Sequence, residues 1–267
     1  MRVKMSKRKV CISITLLSTA LLLMYEFLGA GFFFGEIGDP TIKQLTDMTV
    51  TRALGGVIFL ALLVHLGYRV KNPIRAPFWK SMAFALPAIA VVVNNLPIYP
   101  LASGIATVSA PVWKVLLLAA ECFCIGFFEE TCFRGVILLG FMEKRRDTKL
   151  RQLYAILLSS AVFGGIHLVN LFLGASPVAV LMQIGYSFLI GAMCSVILLK
   201  TANIWLCVIL HAVFDFCGAL VPTLGDGIIW EPLTITLTAV IAVATTVFYT
   251  VAFVKLRSEE IARIYQK

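Results

Sequence analysis

The sequence predicts an all-α, polytopic integral membrane bundle of about eight transmembrane helices, with both termini in the cytoplasm. Two observations carry the fold class and a third carries the orientation. Of the 267 residues, 60% are hydrophobic and only 14% are charged, against about 45–50% and about 25% in soluble domains. The apolar residues gather in runs of roughly twenty, the length needed to cross a ~30 Å hydrocarbon core. The cations gather on one side: 19 of the 23 Lys and Arg residues fall in the N-terminus, alternate loops and the C-terminus. That asymmetry is the positive-inside pattern and places both ends in the cytoplasm. The net charge of +9 is therefore a topology signal, with a lesser part at anionic headgroups, and nucleic acid is excluded as a partner.

The spans follow in order as 10–34, 53–69, 81–99, 112–142, 152–173, 178–199, 202–221 and 233–255. The first follows a basic segment, but its apolar run continues to Phe34. That is too long for a signal-peptide core, so an uncleaved helix is expected. Lys71-Asn72-Pro73 separates the second span from the third, whose outer end is marked by Asn94 and Asn95. The fourth is mainly apolar around its charged motif and stops at Lys144-Arg145-Arg146. Gly174-Ala175-Ser176-Pro177 divides the fifth from the sixth, and the stretch 221–227, with Pro232 beyond it, divides the seventh from the eighth. No stretch is polar and long enough for a soluble unit, so residues 1–267 form one transmembrane domain with a motif-bearing core over about 112–220. Cys11, Cys122, Cys124, Cys132, Cys194, Cys207 and Cys217 all fall within spans. They read as small packing residues, since Cys122 and Cys124 at i,i+2 point nearly opposite ways on a helix.

Ionisable side chains at bilayer depth cost about 2.5–3.5 kcal/mol each on insertion scales and face protein or a water-filled cavity. Residues 129–134 read EETCFR. Glu130 and Arg134, at i,i+4, share a helix face and can pair. Glu129 is turned about 100° away and needs a partner from another helix. Phe163 and His167 stand one turn apart in the fifth span, and His211 and Asp215 one turn apart in the seventh. At 1.5 Å per residue, Glu129, His167, His211 and Asp215 all lie about 15–22 Å from the cytoplasmic ends of their helices. One polar centre shared by three helices is the simplest account. His65 is close enough to a helix end to snorkel. Glu26 and Glu121 lie toward the outer water, and Asn170 is a possible neighbour of His167 rather than a member of the centre.

A buried glutamate beside an imidazole can take a proton from water as general base. A second imidazole can donate to the oxyanion of a tetrahedral intermediate. Together these suffice for peptide-bond hydrolysis without a covalent intermediate. The same residues also allow a second route, with Zn²⁺ held by two imidazoles and a carboxylate, so the cofactor reading is either none or Zn²⁺. An ion-coupled transporter would also bury carboxylates, but it would more often show repeat symmetry and broken helices.

The ordered set Glu129-Glu130-x-x-x-Arg134, Phe163-x-x-x-His167 and His211-x-x-x-Asp215 resembles the CPBP family of CaaX proteases and bacteriocin-processing or immunity proteins, which includes the type II prenyl-CaaX endopeptidases. The resemblance covers roughly 112–220. It implies that Glu129 and His167 activate water, that His211 and the residue four later stabilise the oxyanion, and that Glu130 and Arg134 hold the site. The prenyl-CaaX enzymes carry asparagine at that last position. Asp215, when ionised, accepts hydrogen bonds and cannot donate to an oxyanion; it can orient His211, bind a metal or stay protonated through burial, and accepting the N–H of His211 one turn away is the role expected of it. The expected protein is an intramembrane endopeptidase of a bacterial plasma membrane. Its partners are the lipid bilayer and a peptide or membrane-protein substrate, prenylated substrates included. The alternative is a non-catalytic interaction or bacteriocin-immunity protein that uses the polar centre structurally.

Overall fold

The computed structural model describes residues 7–27, 37–70, 78–143 and 147–265. Helix α1 (Lys7–Phe27) opens the first span; the expected continuation to Phe34 and the Glu26 side chain lie outside the described residues. Helix α2 (Pro40–Leu66) begins well before the expected residue 53. The reason is local: the Asp39 carboxylate accepts from the N–H groups of Thr41 at 2.9 Å and Ile42 at 3.2 Å, and Pro40 takes the first helical position. A side-chain N-cap followed by proline starts a helix whatever the polarity of its first turns. Helix α3 (Phe78–Asn94) ends at the expected asparagines. The span expected to reach 99 is split there, with Pro97 preceding the one-turn helix α4 (Ile98–Ala102). Proline removes a backbone donor and disfavours helical backbone at the residue before it.

The fourth span is one continuous helical rod of three textures: α5 (Val112–Glu129), a π-helix (Glu130–Leu138) and α6 (Leu139–Met142). Helix α7 (Lys149–Ile166) tightens into a 3₁₀ turn over His167–Leu171. Helices α8 (Pro177–Thr201), α9 (Ile204–Leu224) and α10 (Pro232–Lys255) follow, then the short α11 (Ser258–Tyr265). Strand β1 (Ala106–Val108) pairs antiparallel with β2 (Gly225–Gly227), Ala106 opposite Gly227. This clip fastens the chain before α5 to the end of α9, and no strand pattern in the sequence announces it.

Among the described residues, Pro40–Leu66, Lys149–Leu171, Pro177–Thr201, Ile204–Leu224 and Pro232–Lys255 are long and apolar enough to cross a membrane. The chain is an all-α membrane protein but for the two-stranded clip. Half of the apolar window of α8 and of α9 is buried inside the protein against 17% for α10, so α8 and α9 form the centre and α10 the flank. Three bonds anchor α10 to α3: Tyr249 donates to the carbonyl of Phe84 at 3.1 Å, Thr245 to that of Pro87 at 3.3 Å, and Asn94 to the Thr238 hydroxyl oxygen at 2.8 Å. Helix α11 straps the ends of earlier helices, through Lys200–Glu260 at 2.7 Å and the Tyr265 hydroxyl donating to the Leu139 carbonyl at 2.8 Å. Lys114 pairs with the cap carboxylate Asp39 at 2.6 Å, tying the start of α5 to that of α2. Glu121, expected near outer water, is instead buried at 6% exposure, beside Cys122, which packs with Leu45, Leu118 and Leu224.

The contact that matters most for the site is α5 on α9. A Cβ at Gly126 would sit 2.9 Å from the Val208 carbonyl oxygen and 3.0 Å from the Ala212 nitrogen, both backbone. Only a residue without a side chain lets the helices approach so closely, and Gly126 lies one turn before Glu129 and Glu130. Gly126→Ala is expected to lose about 1–3 kcal/mol, the usual range for overpacking, measured by unfolding in detergent. A variant as stable as the parent would mean that α9 can shift without penalty.

Candidate active site

The charged motif straddles a change of helix, Glu129 ending α5 and Glu130 opening the π-helix, and Thr131 gives a physical reason for the change. Its hydroxyl donates to the carbonyls of Phe127 at 2.7 Å and Phe128 at 3.1 Å. Those are the acceptors that the α-helical N–H groups of residues 131 and 132 would use, so the hydroxyl competes with the ladder. One longer turn restores the pairing, and such insertions recur at functional sites. The Ser159 hydroxyl of α7 donates to the Phe133 carbonyl at 3.0 Å and satisfies one π-helical acceptor from outside.

Glu130 stands at the centre and is fully buried. Its Oε1 lies 3.0 Å from Arg134 Nη1 and 2.7 Å from His211 Nδ1. The guanidinium is close enough for an ion pair but misaligned for a hydrogen bond. Both its Nη atoms, and Glu130 Oε2, are buried without a hydrogen-bond partner among the described residues. The Arg134 guanidinium lies over the Phe163 ring, 4.1 Å from its centroid, a cation–π contact that compensates part of the lost hydration. Room for it comes from α8: a Cβ at Gly191 would lie 2.9 Å from Arg134 Nη2.

His211 reads three carboxylates. Nδ1 donates to Glu130, while Nε2 lies 3.5 Å from Glu129 Oε2 and 3.4 Å from Asp215 Oδ2. Nδ1–H is assigned from the acceptor-only character of an ionised carboxylate. The strong orienting bond thus comes from Glu130, where the sequence pointed to Asp215; a carboxylate across a helix interface reaches Nδ1, and the one a turn along α9 reaches only Nε2. Side-chain exposure rises from 0% at Glu130 through 5% at His211 to 14% at Glu129 and 25% at Asp215. The accessible side of the centre is therefore the side of Glu129 and Asp215.

His167 ends α7, where the chain tightens into its 3₁₀ turn. Its ring meets the Phe163 ring edge-on at 5.5 Å, and His211 meets the same ring at 5.7 Å. Phe163 thus carries both imidazoles and the guanidinium. His167 Nε2 is buried with no hydrogen-bond partner among the described residues. Asn170 bonds Gln183 of α8 at 2.8 Å, fixing the 3₁₀ turn rather than the imidazole. Sequence reasoning missed Gly191 and Ser159, which show no motif. It also missed that Asn95 donates to the Phe214 carbonyl at 2.7 Å, beside Asp215; the signal was its amide at a helix end. His65 is exposed, as snorkelling requires.

Among the described residues, no three ligating atoms from His167, His211 and the glutamates lie within 4.8 Å of one another; the group that does is Glu130, Cys194 and Cys207. The zinc arrangement of two imidazoles and a carboxylate is not the one these side chains adopt.

Residues 111–217 match the family model described as type II CAAX prenyl endopeptidase Rce1-like. Over this segment, less than half of the chain, the protein is similar to that family. This agrees with the CPBP and CaaX-protease resemblance of the three motifs, and it makes the family one of membrane proteases, a class of hydrolases. The Rce1-like segment runs from the start of α5 into α9 and contains Glu129, Glu130, Arg134, His167, His211 and Asp215. No curated protein and no solved structure matches the chain.

Proposed function

We propose that the chain is an intramembrane endopeptidase whose Glu129 and His167 activate water, with His211 stabilising the oxyanion. The observation that carries this reading is the pair Glu129 Oε2 and His211 Nε2, 3.5 Å apart, braced from behind by the buried Glu130–Arg134 pair. In this reading water held between Glu129 and His167 gives a proton to the Glu129 carboxylate as its oxygen bonds to the peptide carbonyl carbon. The carbonyl π pair moves to oxygen, and the imidazolium Nε2–H of His211 donates to that oxyanion. Collapse breaks the C–N bond, and the proton on Glu129 passes to the leaving amine. Glu130 keeps the His211 ring aimed through Nδ1. Asp215, an acceptor where the prenyl-CaaX enzymes carry a donor, holds the outer side of Nε2. The substrate is a peptide presented within or beside the bilayer, and a prenylated CAAX peptide is the first class to test.

The architecture we propose has eight spans with both termini cytoplasmic. Its support is the five long apolar helices, the shorter apolar segments Lys9–Leu21 and Trp79–Asn94, and the rod 112–142, whose charges beyond Lys114 and Glu121 are those of the site. Reporter fusions at Lys267 and within 143–151 should report inside, and one within 222–231 outside. An external C-terminus would overturn the orientation.

The test of function is hydrolysis by purified protein of prenylated and unprenylated peptides, with and without chelator. Cleavage is expected in both conditions, because no step uses a metal. Activity lost with chelator and restored by Zn²⁺, in the parent and in Cys194→Ser/Cys207→Ser alike, would reject the metal-free route. Failure to cleave any peptide, with partner binding retained, would favour the non-catalytic reading.

A further inference from the structure

Cys194 of α8 and Cys207 of α9 are both fully buried, and Cys207 Sγ donates to the Cys194 carbonyl at 3.4 Å. Their sulfurs and a carboxylate oxygen of Glu130 all lie within 4.8 Å of one another. Glu130 Oε2 makes no hydrogen bond to either thiol or to any other described group. A buried carboxylate oxygen left without a partner is costly, so packing alone does not account for the arrangement.

We infer that Glu130, Cys194 and Cys207 form a binding site for a thiophilic divalent cation of the zinc class, behind the centre formed by Glu129, His211 and Asp215. The donor set is two soft sulfurs and one oxygen, which suits Zn²⁺ or Cd²⁺ and not the hard cations Mg²⁺ or Ca²⁺. With Zn–S of about 2.3 Å and Zn–O of about 2.0–2.2 Å, tetrahedral ligand atoms stand roughly 3.5–3.8 Å apart. The three side chains therefore need only a small contraction. The charge also balances. Before binding, the Glu130 carboxylate and the Arg134 guanidinium cancel. On binding, both thiols release their protons as two M–S bonds form. The divalent ion, two thiolates and one carboxylate then sum to a single negative charge, which Arg134 again cancels. A buried site that exchanges one divalent cation for two protons keeps its net charge, the condition a low-dielectric interior imposes. The ion would join the π-helix, α8 and α9 at one point. By engaging Oε2 it would leave Oε1 to His211 and fix the carboxylate that aims that ring.

The site is tested on the full chain, expressed in zinc-supplemented medium so that metal can enter during folding, then purified without chelator and assayed for metal by mass spectrometry. About one zinc ion per chain is expected. It should be lost in Cys194→Ala/Cys207→Ala and in the size-conserving Cys194→Ser/Cys207→Ser, with both variants monodisperse by gel filtration. It should be kept in Cys122→Ala/Cys217→Ala. Loading with Cd²⁺ in place of zinc should give a thiolate-to-metal charge-transfer band that disappears with the same pair. Parent protein free of zinc, double variants that retain it, or recovery of Cys194 and Cys207 as a disulfide would each overturn the assignment. The readout is bound metal and not hydrolysis, so its failure leaves the endopeptidase reading standing.

Discussion

Glu129→Ala is expected to lower the rate of peptide hydrolysis by about 10²–10⁴-fold, the range for removal of a general base, in a chain that stays folded and membrane-inserted. Both halves of that expectation follow from position. Glu129 lies on the accessible side of the centre at 14% exposure, and its contact is His211 Nε2 at 3.5 Å, outside the fully buried pair. Removing it strands no cation. His167→Ala should behave the same way, since its buried Nε2 has no hydrogen-bond partner among the described residues to leave behind. Asp215→Asn should keep partial activity. Asp215 lies 3.4 Å from Nε2, while the orienting bond at 2.7 Å is made by Glu130 on Nδ1, so the amide disturbs the electrostatics of Nε2 but not the aim of the ring. Initial rates on one peptide, with thermal unfolding of each variant in the same detergent, measure the series. Full activity in Glu129→Ala would hand the centre to the structural reading.

The parts of this site that were legible in the sequence are those that break a rule of their surroundings. Glu129, Glu130, Arg134, His167, His211 and Asp215 each put a polar head in an apolar run, and the cost of burying one unpaired marks it without knowledge of the fold. Pairing by i,i+4 gave the Glu130–Arg134 contact because it is local. Contacts between helices were not legible. That His211 turns Nδ1 to Glu130 and not to Asp215 depends on how far α9 slides along α5. That in turn depends on Gly126, one of 19 glycines in the chain and indistinguishable from the others without the helix it faces. The π-helix was hidden for a similar reason: a threonine in a helix is ordinary until its hydroxyl is seen to take two carbonyls. The start of α2 was missed because hydropathy dominated the reading, while the Asp39-Pro40 cap is a statement about backbone hydrogen bonds. Cys194 and Cys207, read as packing residues, are buried in the core, and their closeness to Glu130 was not legible because that contact runs between helices.

Arg134→Ala is expected to be the most destabilising single change in the site, at about 3–5 kcal/mol, because it leaves a buried carboxylate uncompensated. Arg134 is 1% exposed and Glu130 0%, so neither water nor a rotamer change can rehydrate the survivor. The loss also removes the ring contact with Phe163 at 4.1 Å, which for a desolvated pair is worth about 2 kcal/mol or more, and leaves a cavity against Gly191. Arg134→Lys should fall between alanine and the parent: it keeps the charge but lacks the planar face that lies on Phe163. The double change Glu130→Gln/Arg134→Met should be less destabilising than the two single changes added together, since no lone charge remains. A cycle of these variants should show a coupling of about 0.5–3 kcal/mol, as expected for residues in contact. Activity should not follow stability. The double variant is expected to refold and remain inactive, because the neutral amide accepts a weaker bond from His211 Nδ1 and no longer fixes the ring. Equilibrium unfolding in mixed micelles checks the energies, and the peptide assay checks the separation. If Arg134→Ala unfolds within about 0.5 kcal/mol of the parent, the margin for an ordinary surface change, the pair does not carry the burial cost assigned to it.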